Sequence, residues 1–341
     1  MLLGPRVQSQ RSIIIQAPRT DREILRATRP FMKELRWRSW VHVAVAVGVL
    51  AGLLALTTLD MHWAGRVGCG LLAALATVRL FVLYHDHQHG AILRRSLAAK
   101  VVMGAYGMLT LSPGSPWNRS HNYHHANNSK ILGSSIGSYP IMTTEAYARA
   151  SRKDRLLYAA ARHPLTILFG YLTVFLYGMC MRPFATNPKL HWDCAVALAL
   201  HGALVALLAV VDPAALLFTV GIPMFVSSAI GAYLFYAQHN FPEVKLKARS
   251  DWTHSFASLN SSSFMALGPL GRWFTANIGY HHVHHLNPRI PFYRLPEAMA
   301  AIPELQSPGR TSLSFRQIYR CLRLKLWDPE RNCMVTFRGT P

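Results

Sequence analysis

The sequence predicts an all-α integral membrane protein with four transmembrane helices, on the evidence of its composition, its apolar runs and the placement of its basic residues. Of the 341 residues, 51% are hydrophobic, and the mean hydropathy is +0.17. At 1.5 Å per residue, a helix of about 20 apolar residues crosses the roughly 30 Å hydrocarbon core of a bilayer. Five runs approach or exceed that length: Val41–Leu59, Ala64–Tyr84, Pro164–Met181, Asp193–Val211 and Ala214–Tyr236.

Basic residues are concentrated in the segments between and outside these runs. The formal net charge is +21, with nine Lys/Arg in residues 1–40, seven in residues 113–163 and seven after Pro296. The predicted outer turns contain only Arg66 together with Asp60 and Asp212. By the positive-inside rule, both termini and all large polar segments are expected in the cytoplasm. In a soluble protein this charge would suggest nucleic acid, but its placement here indicates anionic lipid headgroups, with an acidic partner as the alternative, and no nucleic acid.

Five crossings would leave the basic segment after the last run on the outer side, against the same rule. We therefore predict that Pro164–Met181, which has basic residues on both flanks, lies in the membrane plane or enters and returns. Leu97–Leu111 is too short to cross and is predicted to be a second in-plane or re-entrant segment. Four crossings remain, as two hairpins that turn at Thr58–Gly65 and at Asp212-Pro213.

The histidines are clustered, and every cluster falls on the predicted cytoplasmic side. One His-x-x-x-His and two His-x-x-His-His groups occur, and a further histidine follows the last span. On a helix, positions i, i+3 and i+4 share a face, so we expect each group to direct its rings at one point. The nine candidate ligands are His85, His89, His121, His124, His125, His239, His281, His284 and His285.

This set of histidines indicates a metal centre. Neutral imidazole suits Zn, Cu, Fe and Ni, whereas Mg and Ca prefer oxygen ligands. Nine ligands are too many for one tetrahedral zinc site, so the sequence predicts two metal ions. Soluble di-iron bundles use Glu-x-x-His, which does not occur in this chain; a paired-iron site would have to be rich in histidine.

The five cysteines form no Cys-x-x-Cys pair, and we expect no disulfides.

The histidine groups resemble the three histidine boxes of membrane fatty acid desaturases. The segments Trp117–His125, Gln238–Asn240 and His284–Pro291 are also similar to those of the acyl-lipid, delta-12 and omega-3-like branch. The resemblance divides the chain into a cytoplasmic basic N-terminal segment (1–40), a membrane desaturase domain (41–296) and a cytoplasmic C-terminal tail (297–341).

The resemblance implies a non-haem di-iron centre, held by the nine histidines in a cytoplasmic cap on the four spans. It implies an O2-dependent oxidoreductase that removes two hydrogens from adjacent methylenes of an acyl chain and leaves a cis double bond. Acid–base catalysis does not cleave an unactivated C–H bond, so this reaction needs redox chemistry of a bound metal. No fused haem domain is expected, so two electrons would come from a separate ferredoxin or cytochrome with its reductase. The expected location is a bacterial inner membrane.

Other polar residues have weaker signals. Asp86 is the acid inside the first box, and it either orients a histidine ring by accepting its free N–H or is an ordinary acid at a helix end. In some relatives an asparagine four residues before the single histidine contacts a metal through water. Phe235 occupies that place here, and Asn277, four residues before His281, is the candidate for such a role, with helix capping as the alternative. His87 and His282 lie off the shared faces and are not predicted as ligands. His201 is predicted to be a buried ring bonded to a backbone carbonyl, and His42, His62, His163 and His191 are predicted to be interfacial anchors.

Rival functions remain open at this point. A di-iron membrane hydroxylase or ketolase would use the same metal ligands, and a single sequence does not show whether oxygen is inserted. The segment Asn287–Pro291 favours desaturation. A metal transporter would be expected to have ionisable groups near the middle of the bilayer, whereas these histidines cluster on one side. A purely structural histidine-rich protein would not be expected to repeat a ligand spacing.

Overall fold

The computed structural model describes residues 19–340, and these are mostly helical. Arg6 and Arg11 of the predicted basic N-terminal segment lie outside the described residues. Within that range, four helices are long and apolar enough to cross a membrane: Arg36–Thr57, Trp63–Gln88, Trp192–Val211 and Pro213–His239. They coincide with the four predicted spans, and the predicted fold class is confirmed.

The helices outside the four spans are shorter. The α-helices of the first half of the chain are α1 (Asp21–Thr28), α2 (Arg36–Thr57), α3 (Trp63–Gln88), α4 (Leu97–Leu109), α5 (Gly114–Asn127), α6 (Thr144–Arg149), α7 (Arg152–Ala161) and α8 (Pro164–Leu168). Those of the second half are α9 (Arg182–Thr186), α10 (Trp192–Val211), α11 (Pro213–Ala215), α12 (Ile222–His239), α13 (His254–Asn260), α14 (Pro269–Phe274), α15 (His281–Leu286), α16 (Leu295–Ala301) and α17 (Phe315–Arg323). Two π-helical segments, Tyr171–Met181 and Leu216–Gly221, continue from α8 and α11, and 3-10 turns cover Arg29–Met32, Phe292–Arg294 and Pro303–Leu305.

The long helices form two hairpins. Residues 58–62 join α2 to α3, and Asp212 joins α10 to the helix Pro213–His239. The Asp212 carboxylate accepts hydrogen bonds from Ala214 N at 3.0 Å and Ala215 N at 2.9 Å. This cap satisfies backbone donors at the start of the fourth span, next to a proline that fits the first helical position. Both turns lie where the sequence predicts them.

The four spans differ in length and in burial. Helix α3 has 26 residues and Pro213–His239 has 27, whereas α2 has 22 and α10 has 20. At 1.5 Å per residue the two longer helices measure about 40 Å, so each exceeds the hydrocarbon core by roughly 10 Å. Of the apolar window of α3, 61% is buried, against 17% in α2 and in α10. Helix α3 is therefore the central helix, and α2 and α10 present apolar side chains outward, as lipid contact requires.

The segment from Pro164 to Met181 packs against α12 and α3. Gly170 fits against the Ser228 carbonyl and Ala232, where an added Cβ would lie 2.9 Å from the carbonyl oxygen. Further along, Phe175 meets Phe81 edge to face, with ring centroids 6.1 Å apart. The segment is not one of the four long spans among the described residues. Its in-plane or re-entrant course, like that of the 13-residue helix α4, stays a prediction.

The described residues also contain a few short strands, which the sequence did not predict. Five short strands occur among the described residues: β1 (Met142–Thr143), β2 (Phe264–Met265), β3 (Arg310–Thr311), β4 (Leu326–Asp328) and β5 (Cys333–Val335). They form a sheet of order β1-β4-β5, in which β1 pairs parallel and β5 antiparallel to β4, and a parallel pair β2-β3. Strands this short leave no periodic pattern in the sequence, because two or three residues cannot show an alternation.

The strands attach the C-terminal residues to the rest of the chain. Trp327 is 1% exposed and packs in a cluster with Ala237 and Phe241 at the end of α12. At the other end of the chain, Ile24 of α1 joins the main core. The domain limits at residues 40 and 297 stay a prediction, and the described parts of both flanking segments pack against the middle one. All five cysteines are free, as predicted.

Candidate metal centre

The candidate ligands lie at the ends of the two overlong helices and on two short helices beside them. His85 is in the last turn of α3, with His89 as its C-cap residue, and His239 is the last residue of α12. The second box lies on α5 and the third on α15. The nine histidines come together in two groups, each with its nitrogens within 4.8 Å of one another.

The first cluster contains His85, His89, His121, His125 and His284. Its rings meet through their Nε2 atoms. The Nε2 of His121 lies 3.0 Å from that of His85 and 3.1 Å from that of His125. The Nε2 of His284 lies 3.2 Å from that of His125. The first cluster therefore joins side chains from α3, α5 and α15.

The second cluster contains His124, His239, His281 and His285. The Nε2 of His239 lies 3.0 Å from that of His124 and 2.9 Å from that of His281. The Nε2 of His285 lies 3.1 Å from that of His281 and 3.3 Å from that of His124. All four rings are buried. The second cluster joins α5, α12 and α15.

The expectation that each box directs its rings at one point is wrong for the second and third boxes. On α5, His121 and His125 enter the first cluster and His124 the second; on α15, His284 enters the first and His281 with His285 the second. Residues i and i+4 are about 40° apart around a helix, whereas neighbours in sequence are about 100° apart. The pair i, i+4 therefore stays together, and the middle histidine turns to the other cluster.

The arrangement fits metal ions better than a network of hydrogen bonds. Ring nitrogens about 2.0–2.1 Å from a shared ion lie about 3 Å apart when their bonds are at right angles. The Nε2–Nε2 distances of 2.9–3.3 Å agree with that spacing. The Nε2 of His89 is buried and has no hydrogen-bond partner. A buried polar atom without a partner is costly, and a bound cation would remove that cost.

Burial also keeps the rings in the form that binds metal. Desolvation, together with the repulsion of neighbouring imidazoles, lowers the pKa of seven of the candidate ligands well below the ordinary value of 6.5. These are His89, His121, His124, His125, His281, His284 and His285. These rings are therefore neutral at neutral pH. A neutral imidazole has a free lone pair for a metal ion.

Asp86 connects the first cluster to the segment that follows the third box. Its Oδ1 lies 3.4 Å from His85 Nδ1, and its Oδ2 accepts a hydrogen bond from Phe292 N at 2.7 Å. The Asn277 amide donates to the Phe292 carbonyl at 3.2 Å. Asn277 has φ +57°, a left-handed conformation that asparagine tolerates. Its side chain thus contacts Phe292 rather than a histidine, and the orienting role of Asp86 and the water-mediated metal contact of Asn277 stay predictions.

The second cluster has its own supports. His239 Nδ1 donates to the Ser261 carbonyl at 2.9 Å, which leaves Nε2 free to face the other rings. The ring of Phe235, one turn earlier on α12, lies 5.1 Å from the ring of His124 and 5.7 Å from that of His239. Phe235 therefore forms an apolar wall of the second cluster.

The histidines not predicted as ligands lie outside both clusters. His87 Nδ1 donates to the Ile92 carbonyl at 3.2 Å, and His282 Nε2 to the Leu305 carbonyl at 3.0 Å. His201 Nδ1 bonds the Leu109 carbonyl at 3.2 Å, which confirms its predicted role.

Comparison with known proteins identifies the family. The family model described as fatty acid desaturase matches residues 61–317. A fatty acid desaturase of Bacillus subtilis (strain 168) is 30% identical over 288 residues, which are 84% of this chain and 81% of that protein. This chain belongs to the fatty acid desaturase family. This chain is also 27% identical to the chloroplastic omega-3 fatty acid desaturase of Sesamum indicum and to the chloroplastic sn-2 acyl-lipid omega-3 desaturase (ferredoxin) of Helianthus annuus. Each match covers 78% of this chain and 61% of the plant protein, so the chain spans about three fifths of these relatives.

The structure of the desaturase also contains a group that the sequence reasoning missed. His191, predicted as an interfacial anchor, is buried, so that prediction is wrong. It forms a third close group with Asp193 and Cys194. Its Nδ1 lies 2.7 Å from the hydroxyl of Ser115, the second residue of α5. The three residues lie within four positions of the chain, but no spacing rule reveals their burial against Ser115, which is 76 residues away in the sequence.

Proposed function

We propose that this member of the family is a membrane-bound acyl-lipid desaturase, in which the nine histidines bind two iron ions. One O2 and two electrons with two protons convert adjacent methylenes of an acyl chain to a cis double bond and release two molecules of water. The bound iron would supply the oxidation by O2, a reaction that no protein side chain performs alone. The observation that carries the proposal is the meeting of nine imidazoles in two clusters of five and four.

The protein's own part is to bind and orient. The clusters are at the ends of two helices that exceed the hydrocarbon core by about 10 Å, so they lie close to the level of lipid ester groups. Asp86 would keep the ring of His85 in place, and the Ser261 carbonyl does so for His239. Phe235 would exclude water from the second cluster.

We propose that the acyl chain enters at a small cavity on the membrane side of the clusters. The cavity holds about 30 Å3 and is lined by residues of α3, α4, α12 and the segment Tyr171–Met181, among them Phe81, Tyr106, Phe175 and Gly231. Phe81 precedes His85 by one helical turn, and Gly231 precedes His239 by two. The volume is about that of one water molecule, so we expect Phe81 or Phe175 to move when an acyl chain enters.

Two further parts of the proposal concern the partner and the location. Two plant relatives are named as ferredoxin-dependent acyl-lipid desaturases, and on this basis we propose a ferredoxin with its reductase as the electron source. The placement of Lys and Arg supports a cytoplasmic histidine cap and cytoplasmic termini in a bacterial inner membrane. A reporter that is active in the cytoplasm alone, fused after Pro341, would be active if this orientation is right.

The test is mass spectrometry of total fatty acids from a bacterial host that expresses the chain with a ferredoxin and its reductase. The matched control is His124→Ala, which removes one ring of the second cluster. New unsaturated chains with the unaltered protein alone are expected, and their bond position would define the branch. Hydroxylated chains would overturn desaturation, and equal products from the variant would remove His124 from the ligand set. Two iron ions per purified protein molecule are expected, and iron-free active protein would contradict the metal assignment.

A further inference from the structure

Helix α17 (Phe315–Arg323) is basic and amphipathic, and most of it lies beyond the part of the chain that the family model matches, which ends at residue 317. Between Gln306 and Trp327 the chain has five basic residues and no Asp or Glu: Arg310, Arg316, Arg320, Arg323 and Lys325. The three arginines of the helix itself are exposed. Their positions i, i+4 and i+7 place them in one row along the helix.

A second row of side chains runs beside the arginines. Phe315, Tyr319 and Leu322 also follow the spacing i, i+4 and i+7. Phe315 is 91% exposed and Tyr319 is 62% exposed. A helix that presents two large exposed aromatic rings next to a row of arginines has the composition of a helix that lies in a membrane interface.

The buried side of α17 fixes the helix to the end of a membrane span. Cys321 is fully buried, and its carbonyl accepts a hydrogen bond from the Asn240 amide at 2.7 Å. The Leu324 carbonyl, just past the helix, accepts from Arg162 at 3.0 Å and from the Tyr236 hydroxyl at 3.2 Å. Tyr236 belongs to the last turn of the span Pro213–His239. These bonds hold α17 beside the last turn of that span.

The row of Phe315, Tyr319 and Leu322 ends at an apolar groove, which Leu322 lines. Leu322 lines an apolar groove of about 280 Å3 together with Pro164, Ile167 and Leu168 of α8 and with Ala229 and Tyr233 of α12. Because α12 is part of a membrane span, the groove opens beside the hydrocarbon region. A water-soluble acidic partner would match the arginines but not this groove, whereas a lipid matches both with its headgroup and its acyl chain.

We propose that α17 lies on the membrane interface and binds anionic lipid. Phe315 and Tyr319 enter the boundary between headgroups and acyl chains, and Arg316, Arg320 and Arg323 contact the phosphates. Near an anionic surface each arginine favours contact by about fivefold. The lipid that α17 binds is therefore an anionic phospholipid such as phosphatidylglycerol, and this inference holds whether or not the chain desaturates lipids.

The test uses the full-length protein in nanodiscs of phosphatidylcholine with or without phosphatidylglycerol. Cys69 and Cys333, which are partly exposed, are replaced by Ala, since the other three cysteines are buried. An environment-sensitive dye is attached at Phe315→Cys. A matched control carries the dye at Leu132→Cys, an apolar position in a loop after α5 that is 82% exposed. Spin-labelled lipids then quench the dye wherever it contacts the bilayer.

We expect stronger quenching at position 315 than at position 132, and stronger quenching with phosphatidylglycerol than without it. The variant Arg316→Gln/Arg320→Gln/Arg323→Gln should lose the advantage of phosphatidylglycerol. Equal quenching at both positions in both lipids would overturn the proposal and favour a soluble partner for α17. Quenching at 315 that does not depend on phosphatidylglycerol would overturn the anionic part. The readout is independent of enzyme activity, so its failure and that of the proposed function are distinguishable.

Discussion

Three groups of side chains bring possible ligand atoms within 4.8 Å of one another: the two histidine clusters, and the group of His191, Asp193 and Cys194. They differ in how their polar atoms are satisfied. In the small group, the Ser115 hydroxyl donates to Asp193 Oδ1 at 2.5 Å and the Ser115 amide to Asp193 Oδ2 at 2.8 Å. Cys194 Sγ donates to the Met179 carbonyl at 3.5 Å. Each of these three side chains already has a protein partner.

In the histidine clusters the Nε2 atoms face one another instead. Neutral imidazoles that direct their lone pairs at one point repel each other unless a cation lies between them. The comparison therefore favours the clusters over the group of His191 as the place for a metal ion, and it favours a structural role for the group of His191. Asp193 caps the start of α5, which bears the second box, and so fixes the second box to the span α10.

The largest effect is expected for a residue inside a cluster. His85→Ala should reduce product formation by more than about 100-fold, because a lost ligand costs more than the 10–100-fold typical of its supporting contacts. Metal analysis of the purified variant should show less than the full complement. Normal metal content together with normal turnover would remove His85 from the centre.

A smaller loss is expected for Asp86→Ala. The change removes the contact with His85 and the acceptor of the Phe292 amide. Metal affinity, measured by titration of the apo-protein, should fall by about 10–100-fold. An unchanged affinity with a lowered thermal midpoint would mean that Asp86 only attaches the segment around Phe292.

Asp193→Ala tests the structural side of the comparison. Loss of the cap on α5 should lower the free energy of unfolding by about 1–2 kcal/mol, seen as a lower thermal midpoint in detergent. The protein that remains folded should bind metal at the same stoichiometry. A fall by one ion per molecule would show that the small group is itself a metal site.

The smallest effect is expected for His87→Ala, a control two residues from His85 on the same helix. The variant loses one hydrogen bond to the Ile92 carbonyl, which contributes about 0.5–1.5 kcal/mol to stability. Metal content and product yield should match those of the unaltered protein. A loss of metal content and product yield as large as that of His85→Ala would mean that any histidine within the first box is needed for metal binding, whichever way its ring points.

Much of the molecule follows from local rules. The four spans follow from the length and polarity of apolar runs, because a bilayer fixes how many residues a helix needs. Of the nine histidines that meet in the structure, the spacing selected the eight in the three boxes, because residues i, i+3 and i+4 lie on neighbouring parts of a helix surface, and the position after the last span selected His239. His87 and His282 could be set aside for the same reason.

Other features depended on contacts between distant segments. The sequence alone did not reveal that His124 and His125, adjacent in the chain, belong to different clusters, because that division depends on where α12 and α15 pack around α5. Nor did it reveal that His191 is buried, since its partner Ser115 comes from another helix. The sequence by itself thus determined which residues could bind metal and which could cross a membrane. The tertiary structure decided how the ligands are shared between two clusters, because neighbouring side chains on a helix point about 100° apart and meet different partners.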